Sequence, residues 1–434
     1  MRFLSGLLCG GLLTTGAGCD LKPRPADRAQ EVPAAPPSRP NAVVAKPMER
    51  KDIVVLTPRA AAEVTRRTNG GMAPAILRVR EKFGDITVAM ESVVNQAADF
   101  EGASEGIMVV IDRESAGKIA AGTVVDFLNV GGLFEFRVYP PDAAPKSLTG
   151  PITLDVGRRG FKRRLTRIDR DGTAPAAPPA GVLQLVKYES SAGLLSAYVT
   201  PARKDDKKRP AMVWVTGGDC NSIDRGCWTA GADANEQSAA AFRKAEFVVM
   251  FPSLRGGNDN PGAKEGFYGE VDDVLAAAAY LRKQPGVDPD RVYLGGHSTG
   301  GTLALLVAEC AHPFRAVFSF GPVDAVHQYG PEYTPFSADD PKELRLRSPA
   351  LWMHAVHAPT FVFEGAVQGN VGPLRNMARQ SKNPRLHFFE VKGASHFSVL
   401  GPTNRLIAEK LLKDTGPASN VEITPEEVNK AFGR

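Results

Sequence analysis

From residue 181 onward, short apolar runs alternate with longer stretches whose apolar residues recur at helical spacing. Ala211–Val215 and Phe247–Phe251 read as buried strands. Val271–Leu281 is Ala-rich and reads as a helix. Arg291–Leu294 predicts a strand and Gly300–Cys310 a helix, and Ala316–Phe320, Thr360–Phe363 and Leu386–Val391 predict further strands. This alternation predicts an α/β fold, with a mainly parallel sheet covered by helices on both faces. The pattern spans residues 181–415. Residues 416–434 form a tail, where Thr424-Pro425-Glu426-Glu427 reads as a capping box opening a short helix.

Upstream the pattern is different. Ile53–Leu56 predicts a strand. Thr57 and Pro58 then open a helix running through Arg67, with Thr57 as N-cap and Pro58 in the first turn. Ala75–Val79, Ile86–Met90, Ile107–Asp112, Gly122–Val130 and Phe134–Val138 read as strands. Residues 51–142 are therefore a small β-rich module. Residues 143–180 read as a basic, Pro-rich linker. Arg158, Arg159, Lys162, Arg163, Arg164, Arg167 and Arg170 face only Asp169, and Pro175, Pro178 and Pro179 mark a hinge. The strip predicts a solvated face, or a contact with anionic lipid head groups.

Residues 1–19 have a charged start, an apolar run and small residues, as in an export signal. Gly16-Ala17-Gly18-Cys19 resembles a bacterial lipobox, departing from it at Gly16, where Leu is usual. The resemblance implies that Cys19 is lipidated; a plain signal peptide cut near Ala17 is the alternative. Residues 20–50, rich in proline, read as an extended tether. The chain is thus expected to be exported and held to the periplasmic side of a bacterial cell envelope, with the membrane as a partner through a lipid anchor.

A net charge of +5 over 434 residues gives no argument for nucleic acid. Cys220 and Cys227 are close enough in sequence to bridge a loop in an oxidising compartment, or to be two buried thiols. Cys310 falls in an apolar helical pattern and reads as core.

The candidate chemistry centres on Gly296-His297-Ser298-Thr299-Gly300, between a predicted strand and a predicted helix. Such a corner is too tight for side chains at its flanks, and it exposes the serine hydroxyl near a helix N-terminus. Ser298 is the candidate nucleophile. A serine hydroxyl needs a neutral imidazole to take its proton. His396, in the loop after the last strand, is the candidate base; His297 is expected to point away from the nucleophile. The acid that would orient the base stays open: Glu364 at the end of its strand, Asp324 after the preceding strand, or none. Position 368, where relatives often carry Asp, holds Gln. The oxyanion donors are expected at Thr299 and in the Thr216-Gly217-Gly218-Asp219 loop, with Gly218 as the candidate. No metal or cofactor is expected. Trp214, Trp228, Phe267 and Tyr268 are either pocket walls or core.

The segment from 181 resembles the prolyl oligopeptidase family of serine peptidases within the α/β-hydrolases. Beside the elbow, Phe251-Pro252-Ser253-Leu254-Arg255-Gly256-Gly257, Glu270-Val271-Asp272-Asp273-Val274 and Asp288-Pro289-Asp290-Arg291-Val292 carry the likeness. It implies a serine hydrolase acting on peptide or ester substrates through an acyl-enzyme, most simply a peptidase. A carboxylesterase, or a non-catalytic envelope scaffold with a decayed hydrolase domain, is the alternative. Residues 51–142 resemble the HesB-like fold of A-type iron–sulfur carriers. The matching phrases are Val55-Leu56-Thr57 with Ala60-Ala61, Val109-Val110-Ile111-Asp112, Gly122-Thr123-Val124-Val125-Asp126-Phe127, Gly132-Leu133-Phe134-Glu135-Phe136 and Pro140. No Cys occurs between 20 and 219, so the thiolates a cluster needs are missing. The module is expected to be structural or to dock a protein partner.

Overall fold

In a computed structural model of the chain, the described residues are 54–67, 76–141 with short gaps at 83–84, 92–93, 96–97 and 131–132, and 153–433. The expected signal segment, Cys19 and the tether lie outside them. Among the described residues no helix is long and apolar enough to cross a membrane.

An eight-stranded sheet forms the larger part. Its strands are β8 (Gln184–Ser190), β9 (Gly193–Val199), β10 (Arg209–Val215), β11 (Val248–Pro252), β12 (Val287–His297), β13 (Val317–Phe320), β14 (Thr360–Val367) and β15 (Leu386–Ser395). Their spatial order is β15-β14-β13-β12-β10-β11-β9-β8. From β11 to β15 the pairing is parallel, and β8 and β9 add an antiparallel edge. This is the expected mainly parallel α/β sheet. The β8–β9 hairpin was not foreseen, because β8 carries Gln184, Lys187 and Glu189 on an edge where one face meets solvent.

Strand alternation sorts side chains to the two faces. Along β10, Ala211, Val213 and Val215 join one core cluster, with Val271, Ala278 and Leu281 of α5 (Glu270–Arg282) and Leu303 of α6 (Thr299–Ala308). Met212 and Trp214 join the other, with Phe242 of α4 (Ala240–Lys244) and Ile407 of α9 (Leu400–Leu412). Each fully buried Val, Leu, Ile, Phe or Met among them contributes about 1.5–3 kcal/mol. Three strands run past their predicted ends. β12 starts at Val287, β14 continues to Val367 and β15 to Ser395. The tail helix α10 (Pro425–Ala431) has the expected capping box, and Val428 is buried in the second cluster.

The N-terminal module holds two small sheets. β1 (Val54–Leu56) pairs in parallel with β6 (Thr123–Val130), which pairs with β7 (Leu133–Tyr139). The other sheet has the order β3-β2-β5-β4, from β2 (Ile76–Lys82), β3 (Asp85–Glu91), β4 (Asp99–Ser104) and β5 (Ile107–Asp112). The helix α1 (Pro58–Arg67) covers this core, and the Thr57 hydroxyl accepts from the Ala60 amide at 3.3 Å. β4 was not foreseen. Its sequence Asp-Phe-Glu-Gly-Ala-Ser has a weak strand signal, and pairing with β5 supplies the rest.

The expected linker corrects most. From Thr153 onward, residues 153–180 lie against the large sheet domain as a strap, so the domain body begins well before 181. Leu154 in the short helix α3 (Leu154–Arg158) is fully buried, and its amide donates to the Glu309 carbonyl at 2.8 Å. Arg158 is buried, stacks over the Tyr268 ring at 4.1 Å and donates to the Tyr268 carbonyl. Arg163 pairs with Glu265. Arg167 donates to the carbonyls of Pro331 at 2.8 Å and Glu332 at 2.5 Å. The charge count suggested solvation, but several of these guanidinium groups fasten the strap to loops, and their stems cover apolar surface.

Cys220, Cys227 and Cys310 are all buried and unbonded, so the loop bridge considered for the first two is absent.

Candidate active site

β12 delivers His297 and then Ser298, and α6 begins at Thr299. Ser298 has φ 55° and ψ −116°, outside the regions an ordinary side chain prefers. Such a backbone state costs on the order of 1–3 kcal/mol and persists only where its surroundings enforce it. Here the Ser298 amide donates to the Phe320 carbonyl at 2.7 Å, and the Ser298 carbonyl accepts from Thr302 at 2.9 Å. A Cβ at Gly296 would sit 2.3 Å from the Gly300 carbonyl oxygen, and one at Gly300 2.3 Å from that of Val215. The flanking glycines are therefore required by backbone contact, as the tight corner implied.

His396 immediately follows β15. Its Nδ1 lies 2.8 Å from Glu364 Oε2. Glu364 is fully buried within β14 and also accepts from the amides of Gly365 at 2.6 Å and Asn370 at 3.1 Å. Three donors thus converge on one buried carboxylate. Asp324 is engaged elsewhere, accepting from Gln328 at 2.7 Å and from Asn376. Gln368 is exposed at the loop tip, at φ 68°. The loop after β14 therefore brings an amide back onto Glu364 and supplies no carboxylate of its own. Gly321 makes the meeting possible: a Cβ there would stand 2.4 Å from His396 Cε1 and 2.8 Å from Glu364 Oε2.

His297 makes a contact of its own. It is buried, and its ring centroid lies 4.6 Å from that of His396. Its Nε2 is 3.0 Å from the His396 carbonyl oxygen and its Nδ1 3.1 Å from Gln237 Oε1. Burial, then the nearby His396, push the His297 imidazole down to about 3. It stays neutral beside His396, the candidate base. Nothing in the sequence marked this contact, nor the parts of Gly321 and Asn370, because each depends on loops brought together from distant strands.

The glycine loop after β10 closes the other side. A Cβ at Gly217 would be 3.3 Å from Ser298 Cβ, so only glycine lets this backbone come so near. Gly218 has φ 72°, and its carbonyl accepts from the Thr299 hydroxyl at 2.9 Å. The Thr299 amide is in the first turn of α6, where the fold offers no carbonyl one turn back. A cleft of about 910 Å³ opens over Ser298, His297, Gly217, Gly218 and Phe397. Trp214 is core, packed on Phe242 and Phe320, and Tyr268 is clamped between Arg158 and Arg347. Phe267 stacks on Tyr329 and Trp228 meets Tyr198 edge-on.

Residues 234–380 match the prolyl oligopeptidase family. This match supports a serine hydrolase, peptidase or esterase. A curated relative, an uncharacterized peptidase named YtmA of Bacillus subtilis, is 28% identical over 161 residues, 34% of this chain. The chain spans 62% of that relative's length. Among solved structures, an esterase of Pyrococcus furiosus has a TM-score of 0.44 at 15% identity, covering 58% of this chain and 98% of the esterase. A puromycin-hydrolyzing peptidase of Mycobacterium tuberculosis has 0.44 at 18%, covering 56% of this chain and 41% of the peptidase. The family match leaves the N-terminal module outside its range.

Proposed function

We propose that the protein hydrolyses peptide bonds in the manner of a prolyl oligopeptidase, with Ser298 as nucleophile, His396 as base and Glu364 as the acid that orients it. The observations that carry this reading are the 2.8 Å contact between Glu364 Oε2 and His396 Nδ1 and a serine held at positive φ on a strand–helix corner. With Nδ1–H directed at the carboxylate, Nε2 is the free base. It takes the Ser298 proton as Oγ attacks the substrate carbonyl. The amides of Thr299 and Gly218 then stabilise the oxyanion. His396 returns its proton to the leaving amine, or to an alcohol if the substrate is an ester, and water resolves the acyl-enzyme by the same route. No cofactor enters any step.

The test is covalent labelling by a fluorophosphonate. Labelling of wild type and its loss in Ser298→Ala is the expected result; a folded wild-type protein that resists the probe removes the reading.

The start of the chain supports an exported protein anchored through Cys19 on the periplasmic side of the envelope, because a small-residue motif ending in Cys follows an apolar run. Metabolic labelling with palmitate, lost in Cys19→Ala, checks it. The cysteine-free N-terminal module, with its HesB-like phrases, is proposed as a protein-docking element; deletion of residues 51–142 would abolish co-purification of the partner while Ser298 stays reactive.

A further inference from the structure

The cleft over Ser298 has two walls. One comes from the loops described above. The other is the strap, which contributes Asp171, Thr173, Ala174 and Ala176. This second wall is fixed at both ends. The Asp171 amide donates to the Gly256 carbonyl at 2.8 Å and the Gly172 amide to that of Asn258 at 2.7 Å. The Ala176 carbonyl accepts from the Tyr198 hydroxyl at 2.6 Å. Further back, the Thr166 amide donates to the Pro335 carbonyl at 2.8 Å. Between the pinned ends, the residues facing the cleft carry small side chains. A wall whose backbone cannot retreat, lined by small groups, leaves a fixed gap.

We propose that strap residues 171–176 form the size-selecting wall of the hydrolytic cleft, an inference that rests on the serine-hydrolase reading above. The gap admits a bulky substrate, such as a short peptide, because Thr173, Ala174 and Ala176 take little room. The open volume lies in the range of pockets that enclose ligands of that size. Selection arises from steric exclusion, and so acts on large ligands and spares small ones.

The experiment compares two probes of the same chemistry. In each, Ser298 Oγ forms a bond to phosphorus, fluoride leaves and the serine proton passes to His396. Diisopropyl fluorophosphate is the small probe, and a fluorophosphonate with a long biotinylated chain is the large one. Inactivation rates are measured for wild type, Ala174→Trp and Thr173→Trp, with melting temperatures as the check on folding. Both positions are exposed, so the indole does not disturb the core. The expected result is a roughly tenfold or greater fall in rate with the large probe, and a change of less than about twofold with the small one. Unchanged rates for both probes, or equal falls for both, overturn the proposal and leave the hydrolase reading intact. A wild type that reacts with neither probe overturns both.

Discussion

His297 Nε2 lies 3.0 Å from the carbonyl oxygen of His396, so the residue before the proposed nucleophile holds the backbone of the residue proposed as base. The imidazole of His396 is thus fixed twice, by Glu364 at its ring and by His297 at its main chain. Replacing His297 by Phe keeps a ring and removes the hydrogen bond. The expected result is a fall in kcat of about fivefold, the worth of one ordinary hydrogen bond, with KM little changed. An unchanged kcat would show that Glu364 suffices alone.

Glu364→Gln leaves the shape and removes the charge. The amide can present its nitrogen to Nδ1 and favour the wrong imidazole tautomer. Loss of up to about 10⁴ in kcat is expected with the melting temperature nearly kept, by analogy with protease triads. Asp324→Asn, whose carboxylate binds Gln328 and Asn376, is expected to leave kcat within about twofold by the additivity of separated sites.

The buried His297 and the half-buried His312 set a stability response to pH. Burial pushes both His297 and His312 down to about 3, from an ordinary 6.5. Between these values the unfolded chain binds protons that the folded chain does not. Their contribution is therefore complete above about pH 6.5 and is lost as pH falls toward 3, by at most about 1.4 kcal/mol per pH unit for each. Urea unfolding at pH 7.5, 6 and 5 should show falling midpoints. His312→Phe should flatten the trend, and an identical slope in that variant would count against the assignment.

Gly157 tests the strap as part of the fold. A Cβ at this position would lie 2.1 Å from the Trp352 ring. Gly157→Val should lower stability by about 1–3 kcal/mol, the usual cost of overfilling a packed site. A solvated linker would tolerate valine without a change in melting temperature.

The sheet was legible because its inner strands are continuous apolar runs that only a two-sided core explains, as in Phe247–Phe251. Gly296 and Gly300 announced the elbow through local sterics. The carboxylate contact was only half legible. Glu364 stood at the predicted strand end, but the choice over Asp324 depends on how far β14 and β15 continue and on the turn that returns Asn370. The strap was misread for a different reason. Arginines such as Arg158 and Arg167 look like solvent-facing charge until the carbonyls and rings that receive them are known, and those lie over a hundred residues away. β8 was hidden by its edge position, where polar residues are at home.

Leu154, Gly157 and Arg158 cover Trp352, Tyr268 and the end of α6. A fragment trimmed to start at 181 would uncover large aromatic surfaces, take Arg158 from Asp272 and leave Glu265 with Arg255 alone. Such a piece is expected to aggregate on expression, whereas one beginning near 153 retains its own seal.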